Sequence, residues 1–237
     1  MNNLAQLCEE QFGLILSTSQ ITAFKIYQDE LIIWNKKFNL TAIQSPEEII
    51  YKHFLDSLSC SRVFHPADTD SLIDIGTGAG FPGIPLKIAF SEPRLTLVDS
   101  VNKKVEFCRH LVARLSLKNV DVISARAEEI GQDPNYREKY DWAVSRAVAA
   151  LPTLVEYLLP LVKIAGTVIA QKGKGALKES QKARRAIQEL GGELIKIQPI
   201  SLPTVREERF LIVIQKINPT PIKYPRRTGM PAKKPFL

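Results

Sequence analysis

A chain of 237 residues with 45% hydrophobic and 24% charged residues can bury a substantial core, which excludes a disordered or fibrous chain. Its three cysteines, Cys8, Cys60 and Cys108, are too far apart for a zinc spacing or a disulfide framework; they read as buried thiols in a reducing, cytoplasmic setting. No apolar run reaches the roughly eighteen residues that span a bilayer, which argues against a membrane, there is no signal-peptide layout or internal repeat, and a net charge of +7 points to an anionic partner.

The first 66 residues read as a helical extension. Ser19 is placed to cap an amphipathic run from Gln20 to Lys37, and Ser45-Pro46-Glu47-Glu48 opens a second helix with proline in its first turn. On that helix His53 and Asp56 stand three apart and share a face, where a structural role in docking the extension outweighs a catalytic one. Trp34 and Trp142 read as core residues.

From about residue 67 to 217 strands and helices alternate. Leu72-Ile73-Asp74-Ile75 reads as a buried strand that turns into a glycine loop running from Gly76 through Gly78, Gly80 and Phe81 to Gly83. The spacing Gly78-x-Gly80-x-x-Gly83 satisfies the dinucleotide fingerprint, but its register does not suit a dinucleotide. The glycines begin earlier, Asp74 puts an acid where a pyrophosphate would lie, and Pro82 removes a backbone donor. A cofactor with a sulfonium and an ammonium in place of phosphates suits that carboxylate, which favours S-adenosylmethionine over NAD, with Asp74 facing its methionine end.

About twenty residues on, Leu95-Thr96-Leu97-Val98 ends in Asp99-Ser100, where a carboxylate can accept both hydroxyls of a ribose. A third apolar strand, 119–123, leads into Arg126-Ala127-Glu128, where an adenine edge is expected. Further runs at 141–145 and 165–171 complete a parallel sheet with right-handed crossovers. After a helix ending at Gly191-Gly192, segments 193–200 and 205–217 read as an antiparallel pair. The pattern is α/β, a Rossmann-like, mostly parallel seven-stranded sheet closed by an antiparallel hairpin, as in class I methyltransferases.

Charge concentrates at the C-terminus. Residues 1–66 carry five basic against seven acidic side chains, whereas residues 216–237 carry six basic side chains and no acid. With five prolines, the tail beyond 217 reads as extended, and Lys223, Arg226, Arg227, Lys233 and Lys234 are placed to follow a phosphate backbone. A second basic run, Lys172, Lys174, Lys178, Lys182, Arg184 and Arg185, begins at the carboxyl end of a parallel strand.

Several short motifs resemble the ribosomal RNA small subunit methyltransferase G family, also called glucose-inhibited division protein B. They are Asn39-Leu40-Thr41, His53 through Leu58, the glycine loop through Leu86, Asp99-Ser100 with Lys103-Lys104, Arg126-Ala127-Glu128, Ser145-Arg146-Ala147, Lys172-Gly173, and Tyr224-Pro225-Arg226-Arg227-x-Gly229-x-Pro231. The resemblance implies methylation of N7 of one guanine in the 530 loop of 16S ribosomal RNA. The partner would be that RNA, the small ribosomal subunit or an assembly intermediate, and a monomer is expected. It further implies that Gly76, Phe81, Ala127, Glu128 and Arg146 contact the cofactor, with Asp99 at its ribose. Gly78, Gly80 and Ser100 belong to the same cofactor set. Arg126, Arg146 and Lys172 are expected to form a basic floor facing the RNA. No metal is needed. A class I methyltransferase acting on a small molecule or another RNA remains the alternative.

Overall fold

Seven strands, β1 (Ser71–Ile75), β2 (Arg94–Asp99), β3 (Val120–Ser124), β4 (Tyr140–Arg146), β5 (Val162–Lys172), β6 (Gly192–Leu202) and β7 (Val205–Lys216), form one sheet of order β3-β2-β1-β4-β5-β7-β6 in the computed structural model. The structure describes residues 1–64 and 70–236. Strands β1 to β5 are parallel, and β7 enters antiparallel between β5 and β6, as the apolar runs and the late hairpin lead one to expect. The order reverses between β1 and β4. Ligands of such sheets sit beyond the carboxyl ends at that reversal.

Alternation along the strands divides the core in two. Leu72, Leu95, Leu97, Val144 and Ile169 turn to the face shared with the N-terminal helices. Ile73, Ile75, Val98, Ala143, Val168 and Ala170 turn to the opposite face, shared with residues of the helices α8 (Leu151–Leu158) and α9 (Ala176–Glu189). The crossovers after β1, β2 and β3 are α5 (Gly83–Ala89), α6 (Asn102–Arg114) and α7 (Ala127–Gln132).

The extension begins with α1 (Asn2–Phe12) and α2 (Thr18–Phe38). The cap of α2 is Ser17, not Ser19. Its hydroxyl accepts the Gln20 N–H at 3.3 Å while the Gln20 side chain accepts the Ser17 N–H at 2.8 Å. That reciprocal box needs a side-chain acceptor three residues along, which Gln20 supplies to Ser17. Helix α2 ends at Asn39 in the left-handed region, and Asn35 then ties the turn by bonding both the N–H and the carbonyl of Thr41.

Ser45 caps the next run as expected, but its winding changes. Helix α3 (Pro46–Ile49) passes into a π-helical stretch (Ile50–Leu55), then α4 (Asp56–Leu58) and a 3-10 turn (Ser59–Arg62). The N-terminal helices and one sheet face make a continuous core, and the boundary expected at 66/67 lies outside the described residues. No described helix is long and apolar enough to cross a membrane. All three cysteines are buried thiols; Trp142 is buried and Trp34 half-buried against the core.

The C-terminal segment differs most from its sequence-based reading. It folds back onto α7 and α8 instead of extending. Arg137 clamps it by donating to the carbonyls of Thr220, at 2.7 Å, and Tyr224, at 2.6 Å. Lys216 is fully buried and reaches the Leu159 carbonyl and Glu138. Arg226 forms a forked pair with Glu156, whose carboxylate is fully buried, and a final turn, α10 (Met230–Lys233), lies beside α8. The physical reason is that Glu138 and Glu156, distant in sequence, provide partners for Lys216 and Arg226, while Arg137 takes up carbonyls of the segment.

Replacing Arg226 with alanine strands the buried Glu156 carboxylate, and the expected loss in urea unfolding is about 3 kcal/mol. The exposed neighbour Arg227, replaced the same way, is expected to change stability by less than about 0.5 kcal/mol. Equal losses in the two variants would remove the ion pair from this account.

Candidate active site

The loop that follows β1 is held by its own protein. The N–H groups of Gly76 and Thr77 donate to the Val98 carbonyl, those of Gly80 and Phe81 to the Thr77 carbonyl, that of Gly78 to Asp99 Oδ2 at 2.9 Å, and that of Gly83 to Asp74 Oδ2 at 2.8 Å. Gly76, Gly78 and Gly80 take φ of +68°, +61° and +95°, which only glycine adopts freely. A Cβ on Gly83 would lie 2.9 Å from Asp74 Oδ2, so glycine there permits the carboxylate to approach the turn.

Asp74 therefore does not face a ligand. It is fully buried and lines neither neighbouring cavity; Oδ2 accepts from Thr77 Oγ1 and Gly83 while Oδ1 is buried without a partner. The expectation that it meets the methionine end is corrected: its place on the sheet face, under the loop, makes it a strut of the glycine turn. Burial pushes its carboxyl up to about 7.

Above the loop, the N-terminal helices close an aromatic stack. Phe81 lies between Tyr27, with ring centroids 5.2 Å apart, and His53, at 4.3 Å, both nearly parallel to it. The Tyr27 hydroxyl donates to the Ala79 carbonyl at 2.5 Å. The Arg146 guanidinium sits 4.9 Å from the Phe81 centroid. It donates to Asp56 Oδ2 at 2.7 Å, to the Lys52 carbonyl at 3.2 Å and to His53 Nδ1 at 3.1 Å.

A guanidinium only donates, so Nδ1 of His53 accepts and its Nε2 carries the proton, given to Thr41 Oγ1 at 2.9 Å. Burial first, and the Arg146 charge second, push the His53 imidazole down to about 3. It stays neutral at ordinary pH, with both nitrogens occupied. His53 and Asp56 dock the extension onto β4, as their shared face suggested.

Two cavities open at the carboxyl ends of the strands and share Gly76, Lys104 and Ala147 in their walls. The first, about 510 Å³, lies between the glycine loop, the N-terminal helices and β5, and is lined by Gly78, Phe81, Arg146 and Lys172. The second, about 500 Å³, is lined by Asp99, Ser100, Arg126, Ala127 and Glu128. Gly80 lines neither; a Cβ there would meet Ile84 and the Tyr27 hydroxyl, so its part is packing of the loop.

Arg126, Arg146 and Lys172 do not share one floor. Arg126 is exposed beside the second cavity, whereas the other two line the first. Lys172 is itself committed, donating to the Ala149 carbonyl and pairing with Glu179 Oε2, both at 2.8 Å, while that same oxygen accepts the Leu151 N–H. It clamps the β4–α8 connection. The cations that sequence reasoning passed over are Lys52 and Arg209, both on the wall of the first cavity, with Arg209 Nε 3.6 Å from Asp56 Oδ1. Tyr27 was also missed, because an aromatic on the apolar stripe of α2 reads as core.

The buried pair of titrating groups gives opposite pH slopes. His53 takes up its proton in the unfolded chain near 6.5 but in the fold only near 3, so its contribution is lost as pH falls through that interval. Asp74 protonates in the fold near 7 but unfolded near 3.8, so stability falls as pH rises through that window. Relative to wild type, His53→Gln should gain stability as pH drops from 6.5 to 4, and Asp74→Asn should lose it, each by up to about 1.4 kcal/mol per pH unit. Urea unfolding at pH 4, 5, 6 and 7 reads both; slopes of the same sign would contradict the assignment.

A family model described as rRNA small subunit methyltransferase G matches residues 20–208. Proteins called ribosomal RNA small subunit methyltransferase G from Roseiflexus castenholzii and Alkaliphilus metalliredigens are 52% and 48% identical to this chain, covering 95% and 97% of it and 96% and 95% of their own lengths. That of Pelotomaculum thermopropionicum is 46% identical over the full length of both chains. Among solved structures, StiE O-MT superposes with a TM-score of 0.55 at 13% identity, over 71% of this chain and 75% of its own. The 16S rRNA (adenine(1408)-N(1))-methyltransferase of Catenulisporales acidiphilia gives 0.52 at 14%, over 66% and 89%. The structural likenesses show the fold alone. The family match spans most of the residues that build the sheet, the glycine loop and the Arg146 cluster, and with relatives near half identical along nearly the whole chain, this chain belongs to the rRNA small subunit methyltransferase G family.

Proposed function

We propose that this chain transfers a methyl group from S-adenosylmethionine to N7 of a guanine in the 530 loop of 16S ribosomal RNA. Family membership makes it a methyltransferase of small-subunit ribosomal RNA; the cofactor's placement, the acceptor atom and the residue roles are the reading developed here.

The observation that carries it is the fate of the loop N–H groups. A dinucleotide fold presents them to a pyrophosphate, but here those of Gly76, Thr77, Gly78, Gly80, Phe81 and Gly83 are bonded within the protein. The two cavities that meet at Gly76 suit a nucleoside joined to a zwitterionic chain. Asp99 and Ser100 would hold the ribose and Ala127 and Glu128 the adenine in the second cavity, with Gly76, Gly78, Phe81 and Arg146 flanking the amino-acid end in the first.

When bound, S-adenosylmethionine supplies a methyl group on a positively charged sulfur. Guanine N7 has an in-plane lone pair and no proton to lose, so the chain needs no general base, and the neutral, doubly bonded His53 is not one. The task of these residues is to hold the acceptor in line and exclude water, and proximity supplies most of the acceleration. Lys52 and Arg209 on the wall of the first cavity are placed to donate to guanine O6 or to a neighbouring phosphate. Arg146 and Lys172 act as positioning residues, since each is largely buried against its protein acceptors, whereas Lys52 pairs only with the exposed Glu48.

Methyl transfer from labelled cofactor to small subunits lacking the modification, followed by mapping of the product, tests the reading. Label should appear at one guanine N7, and free 16S RNA and assembly intermediates run alongside would identify the preferred form. Gly78→Asp should abolish labelling, since Gly78 lines the first cavity and its φ of +61° strains any side chain, and thermal unfolding run alongside separates loss of the site from loss of the fold. Cofactor binding without any labelling of RNA would leave the fold standing and overturn the ribosomal target. Arg209→Ala and Lys52→Ala should raise KM for RNA about tenfold each with cofactor affinity unchanged.

A further inference from the structure

The second cavity has an outer wall that does not come from the Rossmann-like sheet. Thr228, Gly229 and Ala232 of the C-terminal segment line it together with Asp99 and Ala127. This stretch is seated and not merely adjacent. Glu128, itself buried, lines the same cavity and accepts the Gly229 N–H on Oε1 at 2.8 Å. Gly229 takes a φ of +83°, which presents that N–H to the carboxylate.

Neighbouring anchors fix the seat from both sides. Thr153 Oγ1 of α8 donates to the Pro231 carbonyl at 3.1 Å. Arg226 grips the buried Glu156 carboxylate through its guanidinium at 2.6 Å and its own N–H at 2.8 Å. Pro225 packs so closely on Gly131 of α7 that a Cβ there would come within 2.7 Å of its ring. A segment held at these points has little freedom left to lose when a ligand arrives, which favours binding.

We propose that residues 228–232 are a built part of the cofactor site, closing over the adenosine end, and that cofactor affinity depends on them. The inference rests on the reading of the second cavity as the adenosine end. One carboxylate, Glu128, then serves two partners: the tail through Oε1, and the nucleoside through the face it presents to the cavity.

Calorimetric titration of the full chain with S-adenosylhomocysteine tests it. Ala232 is exposed and lines the cavity, so Ala232→Trp should fill the site from outside and weaken binding at least about tenfold with the melting temperature unchanged. Ile222→Trp, on the same segment but 78% exposed and outside the cavity, should bind as wild type. A chain ending after Arg227 keeps the Glu156 pair and should also bind at least about tenfold more weakly. Wild-type affinity in both the Ala232 variant and the shortened chain would overturn the inference alone. Failure of the wild type to bind the ligand would overturn the cofactor reading and the inference with it.

Discussion

One guanidinium holds the working end of this molecule together. Arg146 leaves the end of β4, pairs with Asp56, donates to His53 and the Lys52 carbonyl, and lies over the ring of Phe81. Its partners come from the N-terminal helices and its aromatic contact from the glycine loop, so three separate pieces of chain converge on a single charge. Asp56 and Arg146 are 6% and 14% exposed, and removing either would leave the other charged in a poorly solvated place. The π-helical turn at Ile50–Leu55 brings Lys52, His53 and Asp56 to the same guanidinium, a use of irregular winding common at functional sites. The extension is thus part of the site wall, with Tyr27 and His53 sandwiching the loop aromatic.

That stack explains why the loop can dispense with ligand contacts for its shape. The N–H groups of Gly76, Thr77, Gly78, Gly80, Phe81 and Gly83 are bonded within the protein, two of them through Asp74 Oδ2 and Asp99, so the loop is preorganised before any cofactor arrives. Preorganisation of this kind lowers the ordering cost of binding. It also selects against polyphosphate, since few free donors remain where a pyrophosphate would need them. The cost is an ionisable acid under the turn with one orphaned oxygen, held in place because Thr77 and Gly83 both require its other oxygen.

The parallel strands, the late hairpin and the glycine turn were legible in the sequence because each depends on local pattern: apolar runs of about five, glycines at spacings that only turns require, a short connection between two late strands. Cap choice was less so, since Ser17 and Ser19 differ only in which of them Gln20 can reach. The burial of Asp74 under the loop and the separation of Arg126 from Arg146 and Lys172 were not legible for another reason. The carboxyl end of a strand specifies an edge of the sheet but not which side of the connection a side chain takes. Lys172 could not be told from an RNA contact without Glu179 and Ala149, one of them on the following helix.

Charge gave the most misleading signal, because summing it along the chain ignores partners distant in sequence. Of the six basic residues beyond position 215, Lys216 is buried against Glu138, Arg226 is spent on Glu156, and Lys223 lies 3.4 Å from Glu189. What remains exposed on that segment is Lys223, 66% exposed despite its surface pair with Glu189, together with Arg227, Lys233 and Lys234. Of the five side chains placed to follow a phosphate backbone, only Arg226 is withdrawn into an internal ion pair, so about four charges remain and the share of the salt slope the tail can supply falls by about a fifth. A basic tail that looked like a free arm is better understood as a folded strap whose buried charges fix its position and whose exposed ones sit where a polyanion would pass the cofactor.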